Sequence, residues 1–283
     1  MTAFSNGLKG LRVLLLESRR AAEMAKLIAN YGGEPIVAPS MREVPIESNT
    51  RAIEFARTFA AGGFDVVIFL TGVGARALAR AVGTVYPLAD LMEKLKTVIV
   101  VVRGPKPVAV LKEWGVPVAV TAPEPNTWRE LLRALDESSA TPLRGRRVAV
   151  QEYGESNPEL LAGLRERGAV VTTVPVYQWA LPEDVGPLRA AIEKICAGKI
   201  DLALFTTSVQ ITHLLQVAKE MGKEQLVRTA LQKIAIGSIG PVTSEELRAN
   251  GIHVDFEPEH PKMGYLINAA AQSFARRKDQ TAE

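Results

Sequence analysis

The sequence predicts an α/β protein built from two similar parallel-sheet domains, and three observations carry this prediction. The chain repeats itself at an interval of about 136 residues. Its apolar runs are short and continuous, and helix-like segments separate one run from the next. Continuous runs of Val, Ile and Leu are typical of strands that are covered on both faces, as in a parallel sheet.

The repeat is clearest where a strand-like run leads into a polar turn. Asp65 begins such a run, and Asp201 begins a similar run 136 residues later. Two Gly-Pro pairs, which start at Gly104 and Gly240, keep the same spacing. A repeat of this length indicates a duplicated domain rather than a solenoid, whose units span about 20–50 residues. The 283 residues are enough for two domains of ordinary size.

The elements follow in order from these runs. Strands are predicted over residues 11–16, 66–70, 97–102, 148–151, 202–205 and 233–237. Helices are predicted near residues 20–31, 49–61, 73–82, 106–114, 127–138, 157–167, 185–197, 209–221, 242–250 and 263–277. This alternation is typical of doubly wound, flavodoxin-like domains.

The order in which the chain builds its two domains has two solutions. A polar segment at 137–146 would serve as the linker of a tandem arrangement. Proline-spaced, extended segments at 37–46 and 172–182 occupy equivalent positions and would serve as crossovers between domains that exchange their first βαβ units. Composition does not choose between these two layouts.

Composition excludes several classes of function. A formal net charge of +3 gives no indication of a nucleic-acid partner. The single cysteine, Cys196, excludes an internal disulfide, and its helical surroundings favour a structural thiol. The sequence shows no signal peptide and no apolar run of membrane-spanning length, so we expect a cytoplasmic protein without a membrane partner. A periplasmic type of solute-binding protein is disfavoured for the same reason.

Nucleotide and metal sites are also disfavoured. Gly72 and Gly74 follow a strand, but no third glycine or lysine completes a nucleotide fingerprint. The histidines His213, His253 and His260 lack the spacing of metal ligands. We therefore expect no cofactor and no metal.

Matched pairs of turns between strands and helices remain as candidate binding elements. In doubly wound folds the carboxyl ends of the strands face the ligand crevice, and each helix start offers free backbone N–H groups. One turn alone is explained equally well by helix capping. Several such turns, converging from two domains, favour a site for a large polyanion. The pairs are residues 71–74 with 207–210, 103–106 with 239–243, and 17–20 with 152–155.

In these turns the chain resembles the uroporphyrinogen-III synthase family over almost its whole length. The resemblance rests on residues 69–76 (Phe-Leu-Thr-Gly-Val-Gly-Ala-Arg), 205–209 (Phe-Thr-Thr-Ser-Val) and 236–243 (Ile-Gly-Ser-Ile-Gly-Pro-Val-Thr). It also rests on residues 174–178 (Val-Pro-Val-Tyr-Gln) and 262–266 (Lys-Met-Gly-Tyr-Leu). The family's fold implies the exchanged layout, with two domains joined by a two-stranded crossover. The implied domains are 1–38 plus 183–283 and 43–174, with crossover strands at 39–46 and 175–182.

The resemblance also implies an activity. Members of the family close the linear tetrapyrrole hydroxymethylbilane to uroporphyrinogen III, with loss of water and inversion of the terminal D ring. This cofactor-free lyase reaction supplies the biosynthesis of haem, sirohaem and cobalamin. The resemblance implies a monomer that acts on this polycarboxylate. The alternative is a non-catalytic protein of the same fold that senses a tetrapyrrole or another anion.

Residues are carried over from the family one at a time. Tyr177 matches the crossover tyrosine and is the candidate catalytic residue, although a ladder residue of high β propensity would look the same. Gly72 stands where many members have Ser, and Pro107 stands where a turn Thr is expected. Because these hydroxyl groups are missing, we expect backbone N–H groups to bind the substrate in this domain. Arg103 is the preferred guanidinium for a substrate carboxylate. The candidate substrate-binding residues are Arg19, Thr71, Gly72, Val73, Gly74, Arg103, Gly104, Tyr153, Gly154, Ser208, Gly240 and Thr243.

Overall fold

The computed structural model describes residues 6–46, 49–139, 141–154 and 156–281. Its strands are β1 (Arg12–Leu15), β2 (Glu34–Val37), β3 (Arg42–Pro45), β4 (Val66–Phe69), β5 (Ile99–Val102), β6 (Val120–Thr121), β7 (Arg147–Glu152), β8 (Val170–Pro175), β9 (Tyr177–Ala180), β10 (Leu202–Phe205) and β11 (Ala235–Ser238). Its helices are α1 (Ala21–Asn30), α2 (Thr50–Ala60), α3 (Gly72–Val82), α4 (Leu88–Leu95), α5 (Pro105–Glu113), α6 (Trp128–Glu137), α7 (Pro158–Glu166), α8 (Gly186–Cys196), α9 (Val209–Glu220), α10 (Glu224–Leu231), α11 (Pro241–Ala249) and α12 (Met263–Thr281).

The chain forms two compact units, which we number by their first residues. Unit 1 comprises Met1–Arg42 and Ala180–Glu283, and unit 2 comprises Glu43–Trp179. Unit 1 contains a four-stranded sheet of order β11-β10-β1-β2, and unit 2 a five-stranded sheet of order β6-β5-β4-β7-β8. All the registered neighbours in these two sheets are parallel. The predicted fold class, α/β with two similar parallel-sheet units, is confirmed.

The central strands show which parts of the repeat pair with each other. β1, from the first copy, lies beside β10, from the second copy. β7, from the second copy, lies beside β4, from the first copy. Each sheet therefore combines strands from both copies, which is the exchanged arrangement. β3 and β9 form a separate two-stranded sheet.

Each sheet is covered on both faces, as the continuous apolar runs predict. In unit 2, Val67 and Phe69 of β4 pack with α2 to α5, whereas Val66 and Ile68 pack with α6 and α7. In unit 1, α8 to α11 cover one face of the sheet, and α1 and α12 cover the other. Alternate residues of one strand thus enter two different cores, which leaves no polar face on the strand.

Two short helices, α4 and α10, are absent from the sequence prediction. They occupy equivalent positions in the two copies. Each is 8 residues long and buries only two side chains, Leu91 with Leu95 and Val227 with Leu231. So few buried positions give a weak helical pattern. The short strand β6 was also missed, and in unit 1 its place is taken by a single parallel bridge between Gly237 and Phe256.

Candidate functional site

The turn after β4 places backbone donors at the carboxyl edge of the unit 2 sheet. Thr71 caps α3, because its Oγ1 accepts a hydrogen bond from the N–H of Gly74 at 2.9 Å. The N–H of Thr71 donates to Oε1 of Gln151 at 3.3 Å. Among the described residues, no acceptor is hydrogen-bonded to the N–H groups of Gly72 and Val73. Two adjacent open donors at a helix start are suited to binding a carboxylate.

Close packing explains both glycines of this turn. A Cβ atom on Gly72 would lie 2.8 Å from the carbonyl oxygen of Lys106 at the start of α5. A Cβ atom on Gly74 would lie 2.1 Å from Nε2 of Gln151. Helix α3 therefore approaches α5 and β7 too closely for a side chain at either position. A serine in place of Gly72, which the family resemblance led us to expect, has no room here.

One glutamine amide organises the equivalent turn in each unit, but it comes from different elements. In unit 2 it is Gln151, the buried residue of β7 beside Gly74. In unit 1 it is Gln210 of α9, whose Oε1 accepts from the N–H groups of Thr206 at 2.7 Å and Thr207 at 3.3 Å. Gln210 stands at the position equivalent to Gly74, and Leu16 stands at the position equivalent to Gln151. Each turn is thus supported by one side-chain amide. The residue that faces this amide is small in unit 2 (Gly74) and apolar in unit 1 (Leu16).

Arg103, at the turn after β5, is held by the aromatic side chain of Tyr153, which follows β7, two strands away in the sheet. A guanidinium nitrogen of Arg103 donates to the hydroxyl of Tyr153, and its Cζ lies 4.6 Å from the centroid of the Tyr153 ring. A guanidinium has five N–H donors, so this contact leaves others for a ligand. The next residue, Gly104, is constrained by Asn126, because a Cβ atom would lie 2.8 Å from the Asn126 side-chain amide.

Gly154 positions the candidate catalytic residue. Its N–H donates to the carbonyl oxygen of Tyr177 at 3.1 Å. Its φ of +62° lies in the left-handed region, and a Cβ atom would lie 1.6 Å from Nε1 of Trp179. The Trp179 ring meets Tyr177 edge to face, with 5.4 Å between centroids. The N–H of Gly154 is therefore used inside the protein, where it fixes the strand that carries Tyr177.

Tyr177 lines a cavity within unit 2. The side chain is 4% exposed, and the cavity has a volume of about 380 Å³. Its lining combines apolar and polar side chains from β3, α2, α3 and β9 and the segments beside them: Glu43, Ile46, Asn49, Ile53, Val73, Ala77, Arg80, Ala81, Thr84, Val176 and Tyr177. The structure thus brings together Tyr177 and Val73, two residues singled out from the sequence. No sequence pattern indicated that Glu43 and Arg80 share this cavity.

The turns of unit 1 repeat the arrangement with more hydroxyl groups. Ser208 precedes α9 and makes no side-chain capping hydrogen bond. In the described part of the chain, no acceptor is hydrogen-bonded to the N–H groups of Ser208 and Val209. Gly240 precedes α11, and Thr243 in its first turn is 4% exposed. Val209 was missed by the sequence reasoning, although its position in the repeat, equivalent to Val73, identifies it.

The turn after β1 carries both signs of charge. Arg19 is exposed at this turn, as is Arg20, which forms a salt bridge with Glu23. Glu17 accepts a hydrogen bond from Oγ1 of Thr206 at 2.7 Å. A carboxylate at this edge weakens local attraction for anions, so Glu17 limits what Arg19 can contribute.

Three other observations bear on function. The pKa of the Cys196 thiol is raised, chiefly by burial, which keeps it protonated and unreactive at neutral pH. The residues described include no cluster of three or more His, Cys, Asp or Glu side chains that could hold a metal ion. No helix in the described ranges is long and apolar enough to cross a membrane.

Comparison with known proteins agrees with this geometry. A Bacillus subtilis protein called YjjA, itself uncharacterized, is 30% identical over 277 residues, which are 96% of this chain and 99% of that protein. A Methanothermobacter thermautotrophicus protein, provisionally assigned as a uroporphyrinogen-III synthase, is 30% identical over 262 residues, 92% of this chain and 97% of that protein. The crystal structure of a mutant uroporphyrinogen III synthase from the bacterium Thermus thermophilus superposes with a TM-score of 0.70 at 26% identity, covering 96% of this chain and 100% of that one. Residues 22–268 match the family described as Uroporphyrinogen-III synthase HemD, and this chain therefore belongs to the uroporphyrinogen-III synthase family.

Proposed function

We propose that this chain is a uroporphyrinogen-III synthase, a lyase that cyclises hydroxymethylbilane to uroporphyrinogen III with inversion of the D ring and loss of water. One observation carries the proposal. In a chain that matches this family over residues 22–268, the buried Tyr177 and the helix start at Val73 line one cavity. A hydroxyl donor and open backbone N–H groups are the groups that such a reaction needs.

The proposed chemistry begins with departure of the substrate's hydroxyl group. The C–O bond breaks as electrons from the pyrrole nitrogen form a protonated azafulvene, which keeps its N–H and carries positive charge, and Tyr177 donates its proton to the leaving oxygen, so that water departs. The D ring then attacks through its substituted carbon, which gives a spiro intermediate. Cleavage of that intermediate and closure in the opposite sense invert the ring. The proton released on closure restores the phenol of Tyr177, so water is the only other product.

Holding one conformation of the substrate is the main task of the protein. Linear hydroxymethylbilane also closes unaided to the uninverted isomer, so selectivity requires that the wrong closure be prevented. We assign carboxylates of the substrate to backbone donors at the strand-to-helix turns of each unit. These donors include the N–H groups of Gly72, Val73 and Gly104 in unit 2 and of Ser208 in unit 1.

Side chains would add to these backbone donors. Arg103 donates one hydrogen bond to the hydroxyl group of Tyr153, and its other guanidinium N–H groups can bind a substrate carboxylate. Ser208 and Thr243 offer hydroxyl groups, Gly240 begins α11, and Arg19 offers a second guanidinium. The hydroxyl group of Thr71 and the N–H group of Gly154 form hydrogen bonds within the protein. These two residues therefore support the site by fixing the conformation of their turns.

The proposal is tested by the product of the reaction. Purified protein is mixed with freshly prepared hydroxymethylbilane, without added metal or nucleotide, and the product isomers are separated after oxidation to porphyrins. We expect mainly isomer III. A product that is isomer I alone, as in the sample without enzyme, would reject the enzymatic function and leave the sensor of the same fold.

The setting of the reaction is part of the proposal. We expect the protein to act in the cytoplasm as a monomer, without nucleic acid. The single cysteine and the net charge of +3 support this expectation. Sedimentation at enzymatic concentrations measures the oligomeric state directly.

A further inference from the structure

Two side chains of opposite charge line the cavity beside Tyr177. Arg80 of α3 and Glu43 of β3 both line it. Arg80 forms no hydrogen bond or ion pair through its side chain with any residue that the structure describes. The nearby Arg76 of the same helix, by contrast, pairs with Glu113 at 2.5 Å. A guanidinium that lines a cavity without pairing with a carboxylate is available to a ligand.

The cavity extends along one face of α3. Val73, Ala77 and Arg80 follow helical spacing, and all three line it. Arg80 follows Val73 by seven positions, which places the two residues about 10 Å apart along the helix axis. The open N–H groups and Arg80 are therefore two separate anchoring points beside the same space.

The size and charges of this space match one ring of the substrate. Its volume of about 380 Å³ lies at the low end of the range for small-molecule pockets, about 300–1,000 Å³. That volume suits one pyrrole ring with its acid chains rather than four linked rings. Such a ring presents carboxylates, which attract a guanidinium. It also presents an N–H group, which can donate a hydrogen bond to a carboxylate.

We infer that this cavity binds the pyrrole ring that carries the leaving hydroxyl group, with its acid chain on Arg80 and its N–H side on Glu43. This inference rests on the proposed function. When the hydroxyl departs beside Tyr177, positive charge develops on that ring. The carboxylate of Glu43 stabilises this charge in a partly buried place, where a fixed charge acts more strongly than in water. Arg80 is a binding residue, and Glu43 acts on the developing cation.

The two residues predict different kinetic changes. Arg80→Gln removes a contact present before and during reaction, so KM should rise by about tenfold with little change in kcat. Glu43→Gln removes a charge that matters most in the transition state, so kcat should fall by about tenfold or more with a smaller change in KM. Arg80→Lys should restore part of the affinity, and Glu43→Asp should restore part of the turnover. Arg76→Gln is the matched control, because Arg76 lies on the same helix but pairs with Glu113.

Binding is measured separately from turnover. Uroporphyrin III, the stable oxidised form of the product, is titrated against the wild type and each variant, and circular dichroism checks their folding. We expect Arg80→Gln to weaken binding by about tenfold and Arg76→Gln to leave it unchanged. If the wild type makes isomer III but Arg80→Gln and Glu43→Gln behave like Arg76→Gln in both assays, the inference is wrong and the proposed function stands. If the wild type neither makes isomer III nor binds the porphyrin, both are wrong.

Discussion

Arg147 binds the carboxylate of Asp65 through its backbone and its side chain together. Its N–H and Nε donate to Oδ2 of Asp65 at 2.8 and 3.2 Å, and its Nη2 donates to Oδ1 at 2.9 Å. Nη2 also donates to the carbonyl oxygen of Gly62 at 2.9 Å. The side-chain hydrogen bonds from Arg147 lower the pKa of Asp65 to about 2. This contact joins the amino ends of β4 and β7, the two strands at which the copies of the repeat meet in unit 2.

Unit 1 contains the same contact between Arg12 and Asp201. The N–H, Nε and Nη2 of Arg12 donate to the Asp201 carboxylate at 2.8, 2.9 and 2.8 Å, and Nη2 donates to the carbonyl oxygen of Gly198 at 3.0 Å. In both units the arginine comes from one copy of the repeat and the aspartate from the other. A tandem arrangement would have paired Arg12 with Asp65. The contact therefore follows from the exchange of strands between the copies.

Asp65→Asn should lower the free energy of unfolding by about 1 kcal/mol at pH 7. This is less than the whole pKa shift implies, because the Arg147 side chain is 47% exposed and water screens the pair. The folded pKa lies below the usual value of about 3.9. The stabilisation is therefore present above about pH 4 and is lost as the pH falls towards 2. Urea denaturation at pH 7 and pH 3 should show the difference between wild type and variant shrinking by about half.

A matched control for this substitution is Glu93→Gln in the same unit. Glu93 pairs with Lys96 at 2.5 Å but is 72% exposed, so its removal should change stability little at either pH. A difference between wild type and Asp65→Asn that stays constant from pH 7 to pH 3 would show that the carboxylate charge is not the cause.

Tyr177→Phe should lower kcat by up to about 10²-fold, the low end for loss of a general acid, and by less if water replaces the hydroxyl. The aromatic ring keeps its contact with Trp179, so the fold should survive. Turnover of hydroxymethylbilane and the thermal midpoint are measured together. Tyr86→Phe is the control, since Tyr86 packs against the same core but does not line the cavity. Equal turnover in a folded Tyr177→Phe protein would make Tyr177 a structural residue of the ladder.

Gly74→Gln should destabilise the protein, and Gln151→Leu should relieve the effect. The new side chain would occupy the space of the buried Gln151 amide, an overpacking that costs about 1–3 kcal/mol. The double variant reproduces the Gln210 and Leu16 arrangement of unit 1. We expect it to be more stable than Gly74→Gln alone by about 1 kcal/mol, which a double-mutant cycle by urea denaturation measures. Additive effects would mean that the two positions do not share one amide site.

The sequence predicts domains at 43–174 and 1–38 plus 183–283, and a fragment that ends with unit 2 at Trp179 tests whether this middle segment is a domain of its own. A fragment of residues 43–179 contains all five strands of the unit 2 sheet and the ion pair of Asp65 with Arg147. A fragment of residues 1–141 lacks β7 and β8, so β4 keeps β5 but loses its other neighbour, β7, and an apolar sheet edge is open. We expect 43–179 to unfold cooperatively and 1–141 to aggregate or remain partly unfolded.

Thermal unfolding and amide exchange compare the two fragments. Cooperative unfolding and strong protection in 1–141, together with a disordered 43–179, would reject the proposed limits. Asp65→Asn within 43–179 should lower its stability as in the whole chain, which links this test to the contact with Arg147.

Local sequence patterns were enough to predict the α/β class, the duplication and the positions of the turns. These patterns are continuous apolar runs such as Val66–Phe69, helical spacing, and polar turns that recur after about 136 residues. The same patterns placed Thr71 and Arg103 at candidate turns, whereas Tyr177 became a candidate only through the family resemblance. The short helices α4 and α10 escaped because each buries only two side chains.

Which distant residues meet depends on tertiary packing. Arg12 contacts Asp201 across 189 positions of the chain, and no local pattern distinguishes that partner from Asp65. Gln151 can support its turn because Gly74, which faces it, leaves room for the amide. In unit 1 the amide comes from Gln210, and the residue that faces it is Leu16. Arg80 looks like any solvated helix residue until α3 is packed beside β3 and β9. Strand order and packing create these contacts between residues far apart in sequence, and such contacts have no signature in the composition or spacing of either residue.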